Sequence, residues 1–219
     1  YTNEGELIRQ LSKDIEVSAL NGFDSKNKFV YFQGILPNSI DIQSFQTELA
    51  TGKTIQLTQG SGLHLTKQSF DGKYLFESNS SFGQRQAYSV TDLKSKKSNT
   101  IFTASEPLDA YNIGKTQLDT LYASDGIKLF SRTIYPVDFD PNKKYPAIIY
   151  VYGGPHAQMI RNTRLAQAQL WMYTLANEGF IVYTLDNRGS SNRGIKFENA
   201  THRSLGDLEM DDQMKGYDF

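Results

Sequence analysis

The first hundred residues repeat themselves. Ile8-Arg9-Gln10-Leu11-Ser12 is matched by Ile55-Gln56-Leu57-Thr58, and Leu49-Ala50-Thr51-Gly52-Lys53 by Leu93-Lys94-Ser95-Lys96-Lys97. Phe23-Asp24 ahead of Lys28-Phe29 is matched by Phe70-Asp71 ahead of Lys73-Tyr74. Leu11 to Leu57 is 46 positions, Phe23 to Phe70 is 47, and Leu49 to Leu93 is 44. A steady period of about 40–50 residues is that of one four-stranded propeller blade. The β-prone runs Phe29-Val30-Tyr31-Phe32 and Tyr74-Leu75-Phe76 fall between turn pairs such as Asn21-Gly22, Thr51-Gly52, Ser61-Gly62 and Asp71-Gly72, as strands require. Residues 1–105 therefore read as a partial β-propeller of two blades. A closed ring takes about four to eight, so this half reads as part of something larger.

The rhythm changes after a connecting segment, 106–118. From residue 119 to 219 strand, turn and helix alternate, which indicates an α/β sheet. Asp125-Gly126 is placed for a hairpin between Leu121-Tyr122 and Leu129-Phe130. Ala147-Ile148-Ile149-Tyr150-Val151-Tyr152 and Phe180-Ile181-Val182-Tyr183-Thr184-Leu185 are apolar runs of the kind found in strands buried on both faces. Between them Leu165, Ala168, Met172 and Leu175 form one helical stripe, with Gly179 placed to end it. Ser204 followed by Asp207 predicts a capping box opening a last, acid-rich helix that runs to the end of the chain.

Composition narrows the chemistry. The net charge is −1 with both signs mixed along the chain, so the basic face that nucleic acid requires is missing. There is no cysteine, which removes disulfides, thiol catalysis and thiolate metal sites. No apolar run is long enough to span a bilayer. His64, His156 and His202 are the only histidines and no two have metal-pair spacing, so no metal and no cofactor is expected. No G-x-S-x-G nucleophile turn occurs. Gly189-Ser190-Ser191-Asn192-Arg193-Gly194 is one residue too long, and its serine suits a turn. Arg188 and Arg193 suit pairing with Asp186 or with the acids of the last helix, and Arg203 has the same structural reading. Tyr152, ahead of Gly153-Gly154-Pro155, suits two roles. Its hydroxyl can donate to a developing oxyanion, or be an ordinary buried phenol with its OH satisfied, which spacing alone favours.

Several linked blocks carry a resemblance. Val151-Tyr152-Gly153-Gly154-Pro155-His156 resembles the strand-turn signature of the prolyl oligopeptidase superfamily. Leu170-Trp171-Met172, Asp186-Asn187-Arg188-Gly189-Ser190-Ser191-Asn192-Arg193-Gly194, and the run from His202 to Gln213 resemble its dipeptidyl peptidase IV branch. The likeness is most specific over 145–213 and looser elsewhere. It implies β-propeller blades followed by the N-terminal part of an α/β-hydrolase domain, both incomplete. It implies a serine exopeptidase that releases Xaa-Pro or Xaa-Ala dipeptides from peptides with a free N-terminus. It also implies Tyr152 as an oxyanion-hole donor, which reverses the preference drawn from spacing. The family's nucleophile, in a G-W-S-Y-G-G motif, and its Asp and His lie further along than Phe219, so the chain alone is expected to be inactive. No Glu-Glu pair occurs to hold a substrate amine. The family further implies export to a periplasm or cell surface, and often a homodimer. A related acylaminoacyl-type or endopeptidase, or a non-catalytic binding module on the same folds, shares the Tyr-Gly-Gly-Pro core or the missing serine.

Overall fold

A computed structural model describes residues 1–219, in two compact units, Tyr1–Ala104 and Ser105–Phe219. The first holds two four-stranded antiparallel sheets. One runs β1 (Glu16–Phe23), β2 (Phe29–Ile35), β3 (Gln43–Glu48), β4 (Thr54–Gln56). The other runs β5 (Leu63–Gln68), β6 (Tyr74–Ser80), β7 (Ala87–Asp92), β8 (Ser98–Thr103). Both are simple meanders, consistent with propeller blades.

The three repeated blocks fall at equivalent points of the two sheets. Leu11 and Leu57 precede the first strand of each, Phe23-Asp24 and Phe70-Asp71 stand at the first turn, and Leu49 and Leu93 open the last turn. The turn chemistry is local. The Asp24 carboxylate accepts the amides of Lys28 at 2.7 Å and Phe29 at 2.8 Å. In the second sheet Ser69 Oγ takes the amides of Lys73 and Tyr74. Val30, Phe32 and Phe45 form the first sheet's core, with the Phe32 and Phe45 rings stacked 5.6 Å apart.

The two sheets of this unit are joined by polar groups. Thr66 on β5 is the hub: its hydroxyl meets Ser44 Oγ at 2.5 Å, and its carbonyl accepts Asn21 Nδ2 at 3.0 Å and Gln33 Nε2 at 3.3 Å. A parallel bridge between Ile42 and Leu63 adds backbone bonds. His64, buried on β5, pairs with Glu77 on β6.

The second unit is a mixed sheet ordered β11-β12-β10-β9, with β9 (Thr116–Tyr122), β10 (Lys128–Ile134), β11 (Ala147–Ile149) and β12 (Ile181–Asp186). Asp125-Gly126 turns β9 into β10 as expected, and β12 runs antiparallel to β10 and parallel to β11. Three helices accompany it: α1 (Leu170–Asn177), α2 (Ile195–Glu198) and α3 (Leu208–Tyr217). Residues 106–118, expected as a connection, hold a 3-10 turn at Pro107–Ala110 and the first residues of β9. No helix is long and apolar enough to cross a membrane.

Three local expectations are corrected. The run 147–152 forms a strand only over Ala147–Ile149, and it is not buried on both faces: Ile149, Val151 and Tyr152 are exposed. It lies at the sheet edge, paired on one side to β12, and the last ladder bond is Tyr150 N–H to the Tyr183 carbonyl. The stripe Leu165, Ala168, Met172, Leu175 is real, since all four meet one cluster with Ile134, Tyr173, Ala176 and Val182. The helix, however, begins only at Leu170. Ala166 and Gln167 hold left-handed backbone, φ 50° and 62°. The Ala166 carbonyl, which a helix would offer to Leu170, is taken by Arg132 Nη1 at 2.7 Å. Gly179, at φ 94°, does end α1, its amide bonded to the Ala176 carbonyl. Finally, α3 starts after Asp207, whose side chain caps nothing. Glu209 instead reaches back to the Gly206 amide, so the Ser204 capping box does not form, and the helix ends at Tyr217.

Candidate functional site

Parallel β11 and β12 end side by side, and the chain turns sharply after each. Open α/β sheets offer their ligand crevice at such carboxyl ends. After β11 come Tyr152, Gly153 and Gly154. Gly153 takes φ 74°, and a Cβ on Gly154 would stand 3.2 Å from the Tyr152 ring. The ring lies over that glycine, and a larger residue there would push it away. Tyr152 is 60% exposed and its hydroxyl has no partner in the protein. The buried, satisfied phenol that spacing favoured is therefore not what the structure holds. Its neighbour Tyr150 turns inward instead, edge-on to Trp171 at 5.3 Å.

After β12 the Asp186–Ser190 turn is buried and fully engaged. Asn187 Nδ2 donates to the Arg188 carbonyl at 2.6 Å and to the Gly153 carbonyl at 3.4 Å, tying the two turns together. The His156 amide bonds the Gly189 carbonyl and the Ser191 amide the Ala157 carbonyl. Ser190 Oγ donates to the Asn187 carbonyl at 2.7 Å, which makes it a turn residue with its proton committed. Arg188 lies against fully buried Asp212 of α3 through Nε and Nη2, at 2.7 Å for the latter, and also meets Asp125 of the hairpin at 2.7 Å. The hydrogen bonds that Arg188 donates to the Asp212 carboxylate raise the guanidinium above its ordinary value. Arg193 stacks on Phe130 and Phe197 at 4.6 and 4.5 Å and donates to the Lys128 carbonyl. The two arginines thus have structural partners: the last helix, as expected, for Arg188, and two aromatic faces for Arg193.

Sequence reasoning missed a second layer beneath these turns. Arg132 on β10 is wholly buried and its hydrogen bonds go to no carboxylate. It donates to the carbonyls of Met159 and Ala166 and to Thr184 Oγ1. Asp186, two residues beyond Thr184, accepts the amides of Met159 at 2.7 Å and Ile160 at 3.0 Å. The stretch after Pro155 is held from both sides, its amides by a carboxylate and its carbonyls by a guanidinium. Burial pushes the Asp186 carboxyl up to about 6, against those two amides and the positive field of Arg193 and Arg132. The available signal was an arginine inside the strand run Leu129-Phe130-Ser131-Arg132-Thr133-Ile134, where an ionic side chain has to find buried partners.

The remaining candidates are scattered. His64 is in the other unit, bonded to Glu77. His156, at φ 66°, and His202 are exposed. No group of three His, Cys, Asp or Glu side chains is placed to hold a metal ion. A nucleophile–base pair is not among these residues. What the arrangement offers chemically is one free phenolic donor on a glycine-built turn at the open end of a sheet.

The "Prolyl oligopeptidase family" model matches residues 166–219. Dipeptidyl peptidase 8 of Mus musculus is 28% identical over 207 residues, covering 90% of this chain and 23% of that protein. A solved structure of a candidate dipeptidyl aminopeptidase IV from Bacteroides ovatus superposes with TM-score 0.88 at 38% identity, covering 96% of this chain and 30% of that one. The Porphyromonas gingivalis dipeptidyl peptidase 4 structure gives TM-score 0.84 at 26% identity, covering 99% and 31%. The chain spans about a quarter of the length of the curated relatives it matches.

Proposed function

The chain is dipeptidyl peptidase IV-like, of the prolyl oligopeptidase family, and from that premise we propose that the whole protein is a serine exopeptidase releasing N-terminal Xaa-Pro or Xaa-Ala dipeptides. In this reading residues 119–219 are the N-terminal part of its α/β-hydrolase domain, residues 1–105 contribute two propeller blades, and 106–118 connect them. Tyr152 is its oxyanion donor. The observation that carries the reading is the exposed, unpartnered Tyr152 hydroxyl at the carboxyl end of β11. A donor placed in advance where negative charge develops stabilises the tetrahedral intermediate with no reorganisation during reaction.

Acyl transfer also needs a nucleophile and a base. Ser190 has its proton committed to the Asn187 carbonyl, and His64 is buried against Glu77. Residues 1–219 alone supply the donor and its support, and are inactive in this reading. Substrates are peptides with a free N-terminus, and no cofactor takes part. A homodimer at a periplasmic or cell-surface location fits the family.

The test is made on the whole protein with Gly-Pro-p-nitroanilide and its N-acetylated form. The free-amine substrate is cleaved and the blocked one is not. Tyr152→Phe lowers kcat about 10²–10³-fold with little change in KM. Cleavage of the blocked substrate alone would move the protein to the acylaminoacyl or endopeptidase class. An unchanged kcat in Tyr152→Phe would remove the donor role.

A further inference from the structure

Four of the second unit's six arginines have their guanidinium groups engaged, and a fifth, half-buried Arg161, leaves its Nε unpaired. Arg132 binds carbonyls and Thr184, Arg164 pairs with Glu106 at 2.7 Å, Arg188 with Asp212, and Arg193 with two rings and a carbonyl. Arg203 differs. It is exposed, and no carboxylate, carbonyl or ring holds its side chain. It lines a cavity of about 180 Å³ together with Pro155, His156, Glu198, His202 and Leu205. The side chains of His156 and His202 are likewise unengaged. Glu198 is the cavity's one acid, and its Oε1 already accepts the Asn192 amide at 2.8 Å.

Two of the three free donors stand on left-handed backbone, His156 at φ 66° and Arg203 at φ 63°. A long side chain such as arginine seldom adopts that region, and where a fold imposes it a function is the first thing to look for. Here the turn that bends Arg203 also brings it to the cavity His156 lines. Arg203, His156 and His202 line one small concavity with a single carboxylate, Glu198, whose Oε1 is already taken, and with the neutral Asn199 and Thr201, so donors outnumber the acid there. Each imidazole donates from at least one ring nitrogen in either protonation state. Metal binding does not suit the set, because the two histidines and Glu198 are not grouped so as to hold an ion. The volume is below that of an ordinary drug-sized ligand site, and suits one small charged group rather than a whole peptide.

The cavity begins at Pro155, three residues from Tyr152, so the two Cα atoms are at most about 11 Å apart. We propose that this cavity is a carboxylate subsite, through which the protein binds an acidic side chain or the carboxy terminus of a short peptide substrate. The substrate part of this inference rests on the peptidase reading above; the binding of a carboxylate does not.

Two measurements separate them. In the first, the whole protein, labelled at the histidine Cε1 positions, is titrated with N-acetylglutamic acid α-amide and, separately, with its glutamine counterpart and with inorganic phosphate. The His156 and His202 signals shift saturably with the glutamate probe and not with the glutamine one. Arg203→Asn, which tolerates the left-handed backbone, abolishes the shift, and Arg203→Lys retains most of it. A response to phosphate alone, or equal responses to the glutamate and glutamine probes, overturns a carboxylate site. In the second, kcat and KM are compared for short peptides carrying a glutamate side chain with an amidated end, glutamine with a free end, and glutamine with an amidated end. Arg203→Asn raises KM about tenfold for whichever carboxylate source the site takes, and leaves the uncharged peptide within twofold. A uniform rise across all three overturns the subsite. Should the protein cleave none of them, the peptidase reading fails and the titration alone decides the binding site.

Discussion

In the first unit most buried polar groups are neutral: Gln33, Gln43, Ser44, Thr47, Thr58 and Thr66, joined by hydroxyl and amide bonds between and within two sheets. The second unit also buries neutral groups, but beside them it buries five ionic side chains, Arg132, Asp186, Arg188, Glu209 and Asp212, against Asp24 and Glu77 in the first. Neutral groups share their bonds among several partners, so losing one leaves the others partly satisfied. Removing one member of a buried charge pair strands the other where water cannot reach it. The unit bearing the candidate site is thus intolerant of change where its turns meet. The repeated unit spreads its stability along its length.

Mutation can sharpen that contrast. The largest effect is expected at Asp212→Ala, which leaves Arg188 buried against the exposed-side partner Asp125 alone. It should lower stability by about 3–5 kcal/mol, read as an early transition in thermal or urea unfolding of the whole protein. A loss like that of a surface substitution would break the comparison.

Asp186 comes next, and acts through pH. Its folded carboxyl lies near 6 against 3.8 for the unfolded chain, so the folded state holds this proton more tightly. Its contribution to stability is present in full below about pH 3.8, falls as pH rises through the window, and is gone above about 6. Relative to Asp186→Asn, the wild type should lose on the order of 2–3 kcal/mol between pH 4 and 7. Parallel pH profiles for the two proteins would count against a buried, proton-holding carboxyl.

In the first unit, Thr66→Val strips the hub hydroxyl and leaves Ser44 Oγ without its 2.5 Å partner. About 1–2 kcal/mol is expected, and a loss as large as that at Asp212 would erase the distinction between the units. At the low end, Lys73→Ala removes an exposed ion pair with Asp71 and should leave the melting temperature unchanged within error.

What was legible in the sequence divides along the same line. The repeat placed Asp24, Asp71, Leu49 and Leu93 at equivalent turns because turn chemistry acts over a few residues; the Asp24 carboxylate reaches only to Phe29. The Asp125-Gly126 hairpin was legible for the same reason. Arg132 was not: its partners lie 27, 34, 40 and 52 positions away, and no local pattern announces them. That arginine is also why the α1 stripe was read correctly while the helix start was placed too early: it takes a carbonyl that an earlier start would have used. At the candidate site, motif spacing pointed to Tyr152. It wrongly favoured a buried phenol, because the exposure of β11 depends on its place at the sheet edge.

The double grip on Met159 sets an order of events in folding. Arg132 and Asp186 stand on β10 and β12, which pair through Arg132–Thr184 and Phe130–Asp186. Until those two strands zip, neither charged group is in place to hold the stretch around Met159. Parting of the strands would free the amide hydrogens of Met159 and Ile160 to exchange, and so would opening of the stretch alone. Two loop amides would therefore set an upper bound on how often the sheet beneath them opens.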